Sequence, residues 1–198
     1  AAKARREHYP APYAILELWQ KYDGDPFAPR PGDPASVATL AEGGTARNLI
    51  RIYFLQERMK SLGKASDFAA KHVHVIGAGV MGGDIAAWCA MRGLTVTLQD
   101  QNATALAPAM KRAQALFKRR LRDKQRIRDA ADLLIPDVAG DGARRADVII
   151  EAIFENLEVK RALFARLEAA AKPGAILATN TSSLKLADIS ANFADPSR

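Results

Sequence analysis

Residues 72–100 constrain the fold of this chain more than any other stretch. A short apolar run, Val73–Ile76, leads into the glycine-rich segment Gly77–Gly82, which opens a helical pattern, and a second apolar run, Leu94–Leu98, ends just before Asp100. Two runs of strand length on either side of a helical pattern indicate parallel strands joined by a helical crossover. The stretch therefore predicts an α/β fold built on a parallel sheet.

Three glycines of this segment stand where a dinucleotide-binding turn needs them. Gly77 permits the sharp turn out of the strand, Gly79 lacks the Cβ that would keep the backbone away from a pyrophosphate, and Gly82 lets the helix pack close to the sheet. The phosphates would meet free N–H groups at a helix N-terminus, where the helix dipole favours negative charge. The pattern favours a dinucleotide site, with a glycine turn of another α/β fold as the alternative.

The position of Asp100 predicts which of the two nicotinamide dinucleotides, NAD or NADP, the site prefers. It lies 23 residues after Gly77, at the carboxyl end of the second strand. A carboxylate there can accept hydrogen bonds from both hydroxyls of an adenosine ribose and would repel a 2′-phosphate. The expected cofactor is therefore NAD rather than NADP.

The chain continues as alternating strands and helices to its end. The predicted strands are Leu133–Pro136, Ala146–Ile153 and Ala175–Thr179, and the predicted helices are Ala103–Arg120, a shorter one through Ala131, Leu157–Ala171 and Leu186–Asn192. The fourth strand is almost wholly apolar, as expected of a strand buried on both faces. The predicted fold class is α/β, a Rossmann-type doubly wound parallel sheet preceded by a helical linker segment.

The first 70 residues have a different pattern. Helical periodicity covers Tyr13–Tyr22 and Ser36–Leu62, with a proline-rich loop at 23–34 between them and a break expected at Gly43-Gly44. These helices have apolar faces that the rest of the segment cannot cover. We interpret residues 1–70 as the remnant of a larger unit, with Lys64–Lys71 as the linker, and residues 71–198 as a nucleotide-binding domain.

Composition excludes several classes of protein. No apolar run approaches the roughly 18 residues of a membrane span, and the N-terminus has no signal-peptide core, so a cytoplasmic protein is expected. The single cysteine, Cys89, excludes a disulfide framework, and its place inside the first helix of the domain favours a buried thiol over a reactive one.

Polar residues follow the predicted fourth and fifth strands. Glu155 and Lys160 can form an ion pair at a solvated helix start, and Asn180–Ser183 can be a loop followed by a helix cap. Alternatively, both sets face the ligand crevice, because the carboxyl ends of parallel strands share one edge of the sheet with Gly77–Gly82. Four small hydrogen-bonding residues at one strand end favour this second interpretation.

Taken together, these motifs resemble the NAD-binding domain of the 3-hydroxyacyl-CoA dehydrogenases of β-oxidation. The segments that carry the resemblance are GAGVMGGDIA, LQDQ, DVIIEAIFENLEVKRALFARLE and ILATNTSSL. The earlier segments YPAPYAILELW and ARNLIRIYFLQERMKSLGK resemble the linker that joins an enoyl-CoA hydratase unit to this dehydrogenase in the bacterial multifunctional α-subunit. The resemblance covers essentially the whole chain.

The resemblance implies roles for individual residues. Those implied to hold NAD are Gly77, Gly79, Val80, Met81 and Gly82 at the pyrophosphate, Asp100 and Gln101 at the adenosine ribose, and Ala152, Glu155, Lys160 and Asn180 toward the nicotinamide. The implied catalytic residue is Ser182, which would donate a hydrogen bond to the 3-oxygen of the substrate.

The chain departs from the family pattern in two ways. Asp84 stands where many relatives have glycine, and a carboxylate turned toward the phosphates would weaken NAD binding. The family's proton-accepting histidine lies in a strand roughly 20 residues after the serine, beyond the end of this chain, as does the helical domain that completes the acyl-CoA site. His8, His72 and His74 are not expected to replace it, because the first precedes the domain and the others lie at the start of its first strand.

The positive charge of the chain is concentrated in one segment. Between Lys111 and Arg128 there are nine basic residues and one acid, Asp123. A solvated helix face explains them, and so does attraction of coenzyme A phosphates, since the family lays coenzyme A near this helical arm. Nucleic-acid binding is the least expected, because only Phe117 interleaves the bases.

The resemblance implies that the parent enzyme oxidises (3S)-3-hydroxyacyl-CoA to 3-oxoacyl-CoA with NAD. The chain alone is expected to bind NAD(H) weakly without turnover, because the base is missing. Its expected partners are an acyl-CoA substrate and a thiolase subunit of a β-oxidation complex. The alternative is a non-catalytic scaffold segment that docks a partner enzyme such as thiolase.

Overall fold

The computed structural model of the chain describes residues 5–62 and 66–195. It separates into two compact units, unit 1 (Ala1–Phe68) and unit 2 (Ala69–Arg198). The division falls close to the boundary predicted after residue 70. The residue after the predicted helix end at Leu62, Gly63, and the first residues of the predicted linker lie outside the described residues.

Unit 1 is helical. Its helices are α1 (Pro10–Tyr22), α2 (Val37–Glu42) and α3 (Gly44–Leu62). α1 begins earlier than the sequence predicted because Pro10, which has no N–H to leave unpaired, occupies its first turn. The expected break at Gly43 is confirmed: this residue is extended and ends α2. The proline-rich loop is fixed by the Tyr22 hydroxyl, which donates to Asp33 over 2.5 Å.

Unit 2 is a parallel five-stranded sheet with helices between its strands, as the sequence predicted. The strands are β1 (His72–Ile76), β2 (Thr95–Gln99), β3 (Leu134–Pro136), β4 (Val148–Glu151) and β5 (Ile176–Thr179). The helices are α4 (Val80–Met91), α5 (Ala103–Arg120), α6 (Lys124–Asp132), α7 (Leu157–Ala170) and α8 (Leu186–Ile189), with a 3-10 turn at Asp141–Arg144.

The strand order is β3-β2-β1-β4-β5, with every neighbouring pair parallel. This order reverses direction between β1 and β4, which is the switch point where open α/β sheets bind ligands. The fold class predicted from the sequence is confirmed.

Two elements are shorter than predicted by more than one residue. β4 covers Val148–Glu151 rather than Ala146–Ile153, because the residues after Glu151 leave the ladder to form the edge of the crevice. α8 ends at Ile189 rather than Asn192, because the chain turns there and Phe193 packs on Phe164, with ring centroids 5.5 Å apart.

Small side chains allow α4 to pack tightly in the core. Ala86, Ala87 and Ala90 are buried, and so is Val75 on the neighbouring strand. A second core cluster joins β4 to α7 and α8 through Ile149, Phe164 and Ile189. Burial on the order of 25 cal/mol per Å² of apolar surface stabilises the sheet and so fixes the ends of its strands.

Candidate functional site

The carboxyl ends of four strands meet at one edge of the sheet. Ile76 is paired with Gln99 on one side and with Glu151 on the other, and Glu151 is paired with Thr179. The residues that follow these strands, Gly77, Asp100, Ala152 and Asn180, therefore lie side by side. The structure brings together the strand ends that the sequence predicted to share a crevice.

Two cavities occupy this edge and share Gly79 and residues 152–154 in their walls. The first, of about 620 Å³, is lined by Asp100 and Gln101. The second, of about 550 Å³, is lined by Glu155, Asn180 and Ser182. The pair offers a long crevice rather than a single compact pocket.

The three glycines of the turn have different roles. Gly77 has φ +104°, and a Cβ added there would lie 2.5 Å from the carbonyl oxygen of Ala152. A Cβ on Gly82 would overlap the carbonyl oxygen of Gly77. A Cβ on Gly79 would meet no atom of the described residues within 4 Å. The fold requires glycine at 77 and 82, whereas Gly79 leaves open space in front of a helix N-terminus.

That helix N-terminus faces the crevice. α4 begins at Val80, and its first backbone hydrogen bond runs from Gly83 N–H to Gly79 C=O over 3.0 Å. The N–H groups of the intervening residues precede that bond and have no acceptor within the helix. Val80 and Met81 are exposed and line the second cavity. An anion such as a pyrophosphate fits this arrangement of donors and dipole.

Asp100 belongs to both the turn and the crevice. Its Oδ2 accepts a hydrogen bond from Ala78 N–H and its Oδ1 accepts one from Asn102 N–H, each at 2.8 Å. A carboxylate oxygen accepts two hydrogen bonds. Asp100 therefore retains one acceptor position on each oxygen for a ribose diol, while it fixes the backbone of the glycine turn.

A buried ionic network stands behind the second cavity. Lys160 Nζ lies 2.6 Å from Glu151 Oε1 and 3.5 Å from Glu155 Oε2, and the Lys160 and Glu151 side chains are both 0% exposed. Glu151 also accepts from Thr179 Oγ1 at 2.6 Å and from Ile153 N–H at 2.8 Å. The network fixes the ends of β4 and β5 to α7.

Glu155 links the two strand ends at the surface. It accepts hydrogen bonds from the Thr181 hydroxyl and, at 2.9 Å, from Ser182 N–H. These bonds, the Ser182 N–H first, hold the pKa of Glu155 below its usual value, with the Lys160 charge assisting. Glu155 is therefore a carboxylate at neutral pH, and the loop that carries the exposed Ser182 has a defined position.

Sequence reasoning missed part of this network. Glu151 and Thr179 were not predicted as site residues, and Thr181 was predicted only as part of the loop Asn180–Ser183. A carboxylate inside an otherwise apolar strand was a signal that Glu151 has a partner. Lys160, predicted beside the nicotinamide, is fully buried and reaches the cavity only through Glu155.

The remaining candidates do not line either cavity of the crevice. His74 is buried within β1, with its Nδ1 2.8 Å from Thr97 Oγ1 and its Nε2 3.1 Å from Gln99 Oε1. Burial lowers the pKa of both His72 and His74. Cys89 is only half-buried, and burial raises the pKa of its thiol. Asp84 is exposed on α4.

The basic segment 111–128 is not uniform. Eight of its bases are exposed, whereas Arg112 is half-buried against the glycine turn. Phe117, the aromatic residue within the segment, is 1% exposed and belongs to the core. It cannot stack on a nucleobase.

Two kinds of feature, a metal-binding cluster and a membrane-spanning helix, are absent from the described residues, 5–62 and 66–195. These residues contain no group of three His, Cys, Asp or Glu side chains placed to hold a metal ion. Within the same residues, no helix has the length and apolar content to cross a membrane.

Residues 72–198 match the model of the 3-hydroxyacyl-CoA dehydrogenase, NAD binding domain, family. A probable 3-hydroxyacyl-CoA dehydrogenase of Caenorhabditis elegans is 43% identical over 138 residues, which are 64% of this chain and 44% of that protein. The fatty acid oxidation complex subunit alpha of Ectopseudomonas oleovorans is 30% identical over 189 residues, 90% of this chain and 26% of that protein.

Among solved structures, 3-hydroxybutyryl-CoA dehydrogenase of Escherichia coli superposes with a TM-score of 0.62 and 36% identity. The superposition covers 65% of this chain and 28% of that one. The chain thus spans less than half the length of each of these relatives. It belongs to the family of 3-hydroxyacyl-CoA dehydrogenase NAD-binding domains, and its cofactor is NAD.

Proposed function

We propose that NAD lies along the crevice from Asp100 to Asn180. The observation that carries this placement is the open space at Gly79, which lies between the two cavities and in front of the N-terminus of α4. The pyrophosphate would occupy this space, the adenosine ribose would hydrogen-bond Asp100 beside Gln101, and the nicotinamide would lie by Ala152, Glu155 and Asn180. This placement uses the site residues predicted from the sequence except Gly82 and Lys160, which are buried and do not line either cavity.

The proposed reaction is oxidation of a (3S)-3-hydroxyacyl-CoA to the 3-oxoacyl-CoA. Bound NAD supplies the hydride acceptor. The protein's part would be to hold the acyl C3 against the nicotinamide, with the Ser182 hydroxyl donating a hydrogen bond to the substrate 3-oxygen. Glu155 supports this geometry because it fixes the Ser182 backbone. The names of the relatives support a substrate of the 3-hydroxyacyl-CoA class.

We further propose that the 198-residue chain binds NADH without turnover. In the family that the sequence resembles, a histidine removes the substrate's hydroxyl proton. His72 and His74 lie on β1 before the glycine turn, with lowered pKa values and contacts to Thr97, and His8 belongs to unit 1. The chain should not reduce acetoacetyl-CoA with NADH, and measurable turnover would contradict this part of the proposal.

NADH titration followed by nicotinamide fluorescence tests the cofactor placement. Asp100→Ala removes hydrogen bonds to a charged acceptor, which are worth about 1.5–3 kcal/mol, so NADH should bind roughly ten- to 150-fold more weakly. Asp129→Ala removes an exposed acid of α6 and is the matched control, for which no change is expected. Equal NADH affinity for wild type and Asp100→Ala would overturn the ribose assignment.

Docking of a partner enzyme is a second candidate function, favoured by the surface of unit 1. Trp19, Tyr53, Phe54 and Met59 are all more than half exposed. The match to the α-subunit relative is longer than unit 2 and so extends into unit 1. We propose that this segment belongs to a multifunctional hydratase and dehydrogenase chain that assembles with a thiolase. Co-sedimentation of thiolase with wild type but not with Trp19→Ser is expected, and no complex with wild type would overturn it.

A further inference from the structure

One arginine of α5 contacts the backbone of the glycine turn. Arg112 Nη2 lies 2.9 Å from the carbonyl oxygen of Gly79 and 3.4 Å from that of Ala78. The other eight bases of the segment 111–128 are exposed. Arg112 thus differs from its neighbours in position as well as in contacts.

The two carbonyls that accept from Arg112 belong to the peptide units on either side of Gly79, which lines both cavities. The peptide of the Ala78 carbonyl carries the N–H of Gly79, and the peptide of the Gly79 carbonyl carries the N–H of Val80. A cation on the carbonyl side polarises each unit and strengthens donation from its N–H. Arg112 therefore acts on the phosphate-facing donors from behind the turn.

The turn is held from two sides. Ala78 donates its N–H to Asp100 over 2.8 Å, while its carbonyl faces Arg112. Gly83 on α4 makes room for the guanidinium, because a Cβ there would lie 3.0 Å from Arg112 Nη2. The Arg112 Nε is buried and has no hydrogen-bond partner among the described residues. An unpaired buried donor costs free energy, and the contacts to the turn offset that cost.

We propose that Arg112 is a positioning residue for the cofactor pyrophosphate, acting through the peptides of the glycine turn. The inference deepens the proposed function and rests on its placement of NAD across Gly79. The proposed role is specific to Arg112. It does not follow from a solvated helix face or from a general attraction of anions by the basic segment.

The test compares Arg112→Ala and Arg112→Lys with Lys111→Ala in the full 198-residue chain. Lys111 is the preceding residue of the same helix and is exposed, so its variant makes the same change in net charge away from the turn. Arg112→Ala should weaken NADH and ADP-ribose about tenfold, which is the size of one charged hydrogen bond. Arg112→Lys should weaken the binding of both ligands about threefold, because lysine keeps the positive charge but lacks the planar guanidinium group with its several N–H donors. Lys111→Ala should change affinity by less than about twofold.

Adenosine, which has no phosphate, separates positioning from stability. Its affinity, followed by NMR, should be the same in wild type and in the Arg112 variants, and thermal melts show whether each variant folds. If Arg112→Ala fails to fold, Arg112→Lys is compared with Lys111→Ala alone. Equal NADH affinity in a folded Arg112 variant, or an equal loss for adenosine and NADH, would overturn the inference. Absence of NADH binding by wild type would instead overturn the proposed function.

Discussion

The two ends of the crevice, which we propose bind the adenosine and the nicotinamide of NAD, are built by different means. At the adenosine end, the ligand-facing groups are backbone N–H donors and one carboxylate, Asp100, on a turn shaped by glycines. At the nicotinamide end, a fully buried Lys160–Glu151 pair fixes the strand ends, and Glu155 fixes the loop of Ser182. Glycines, which have no side chains, shape the crevice at one end. A buried ion pair holds its shape at the other end.

This difference predicts how each end responds to substitution. A residue at the adenosine end can be changed with loss of binding and little loss of stability, provided that it faces open space. A residue of the buried network cannot, because removing one charge leaves the other without its nearest partner inside the protein. The predictions below test this contrast.

The largest effect is expected for Glu151→Ala. The substitution leaves Lys160 buried without its 2.6 Å partner, and breaking such a pair costs about 3–5 kcal/mol. Urea unfolding followed by circular dichroism measures the loss. Glu158→Ala, which removes an 80% exposed carboxylate on α7, should change stability by no more than about 0.5 kcal/mol. If Glu151→Ala lowered the free energy of unfolding by less than about 1 kcal/mol, the expected difference between the two ends would be contradicted.

Gly79→Val should separate binding from folding. The added side chain enters open space, and φ −59° suits any residue, so the free energy of unfolding should change by less than about 1 kcal/mol. NADH should bind at least about a hundredfold more weakly, because valine fills the pyrophosphate position. Gly82→Val is the counterpart, and it should disrupt the fold because its Cβ would overlap the carbonyl oxygen of Gly77. Retained NADH affinity in Gly79→Val would place the pyrophosphate elsewhere.

A smaller effect is expected from acid. The strand pair behind the adenosine end contains His74, whose pKa is lowered by burial, so the unfolded chain takes up a proton at higher pH than the folded chain does. Stability should therefore be full well above the ordinary histidine pKa of about 6.5 and should decline as the pH falls below it. Unfolding midpoints above and below this pH, with His8→Asn as control, measure the effect. If stability stayed constant across this pH range, the lowered pKa of His74 would be contradicted.

The same contrast decides what could be predicted from the sequence. The adenosine end was predictable, because a turn that forbids side chains at residues 77 and 82 leaves its mark as glycine at fixed spacing. The buried network was predictable only in part. Glu155 and Lys160 were named as candidates, but Glu151 and Thr179, which connect the network, come together only because β4 pairs with β5. Arg112 gave no signal, because nothing in a run of bases tells which one faces inward.

In unit 1, the helices and the break at Gly43 followed from periodicity and glycine. Their exposed apolar residues follow from the same periodicity, which does not encode what these residues contact.

The central claim is that one dinucleotide spans both ends, and NMR of the ¹⁵N-labelled chain titrated with NADH tests it most directly. The amides of Gly79 and Val80 and those of Asn180 and Ser182 should shift together with a single dissociation constant. AMP should shift the first pair without the second, and nicotinamide mononucleotide should shift the second pair, with its phosphate also affecting Gly79 and Val80. If NADH moves only one pair of amides, or neither, the account of the crevice is contradicted.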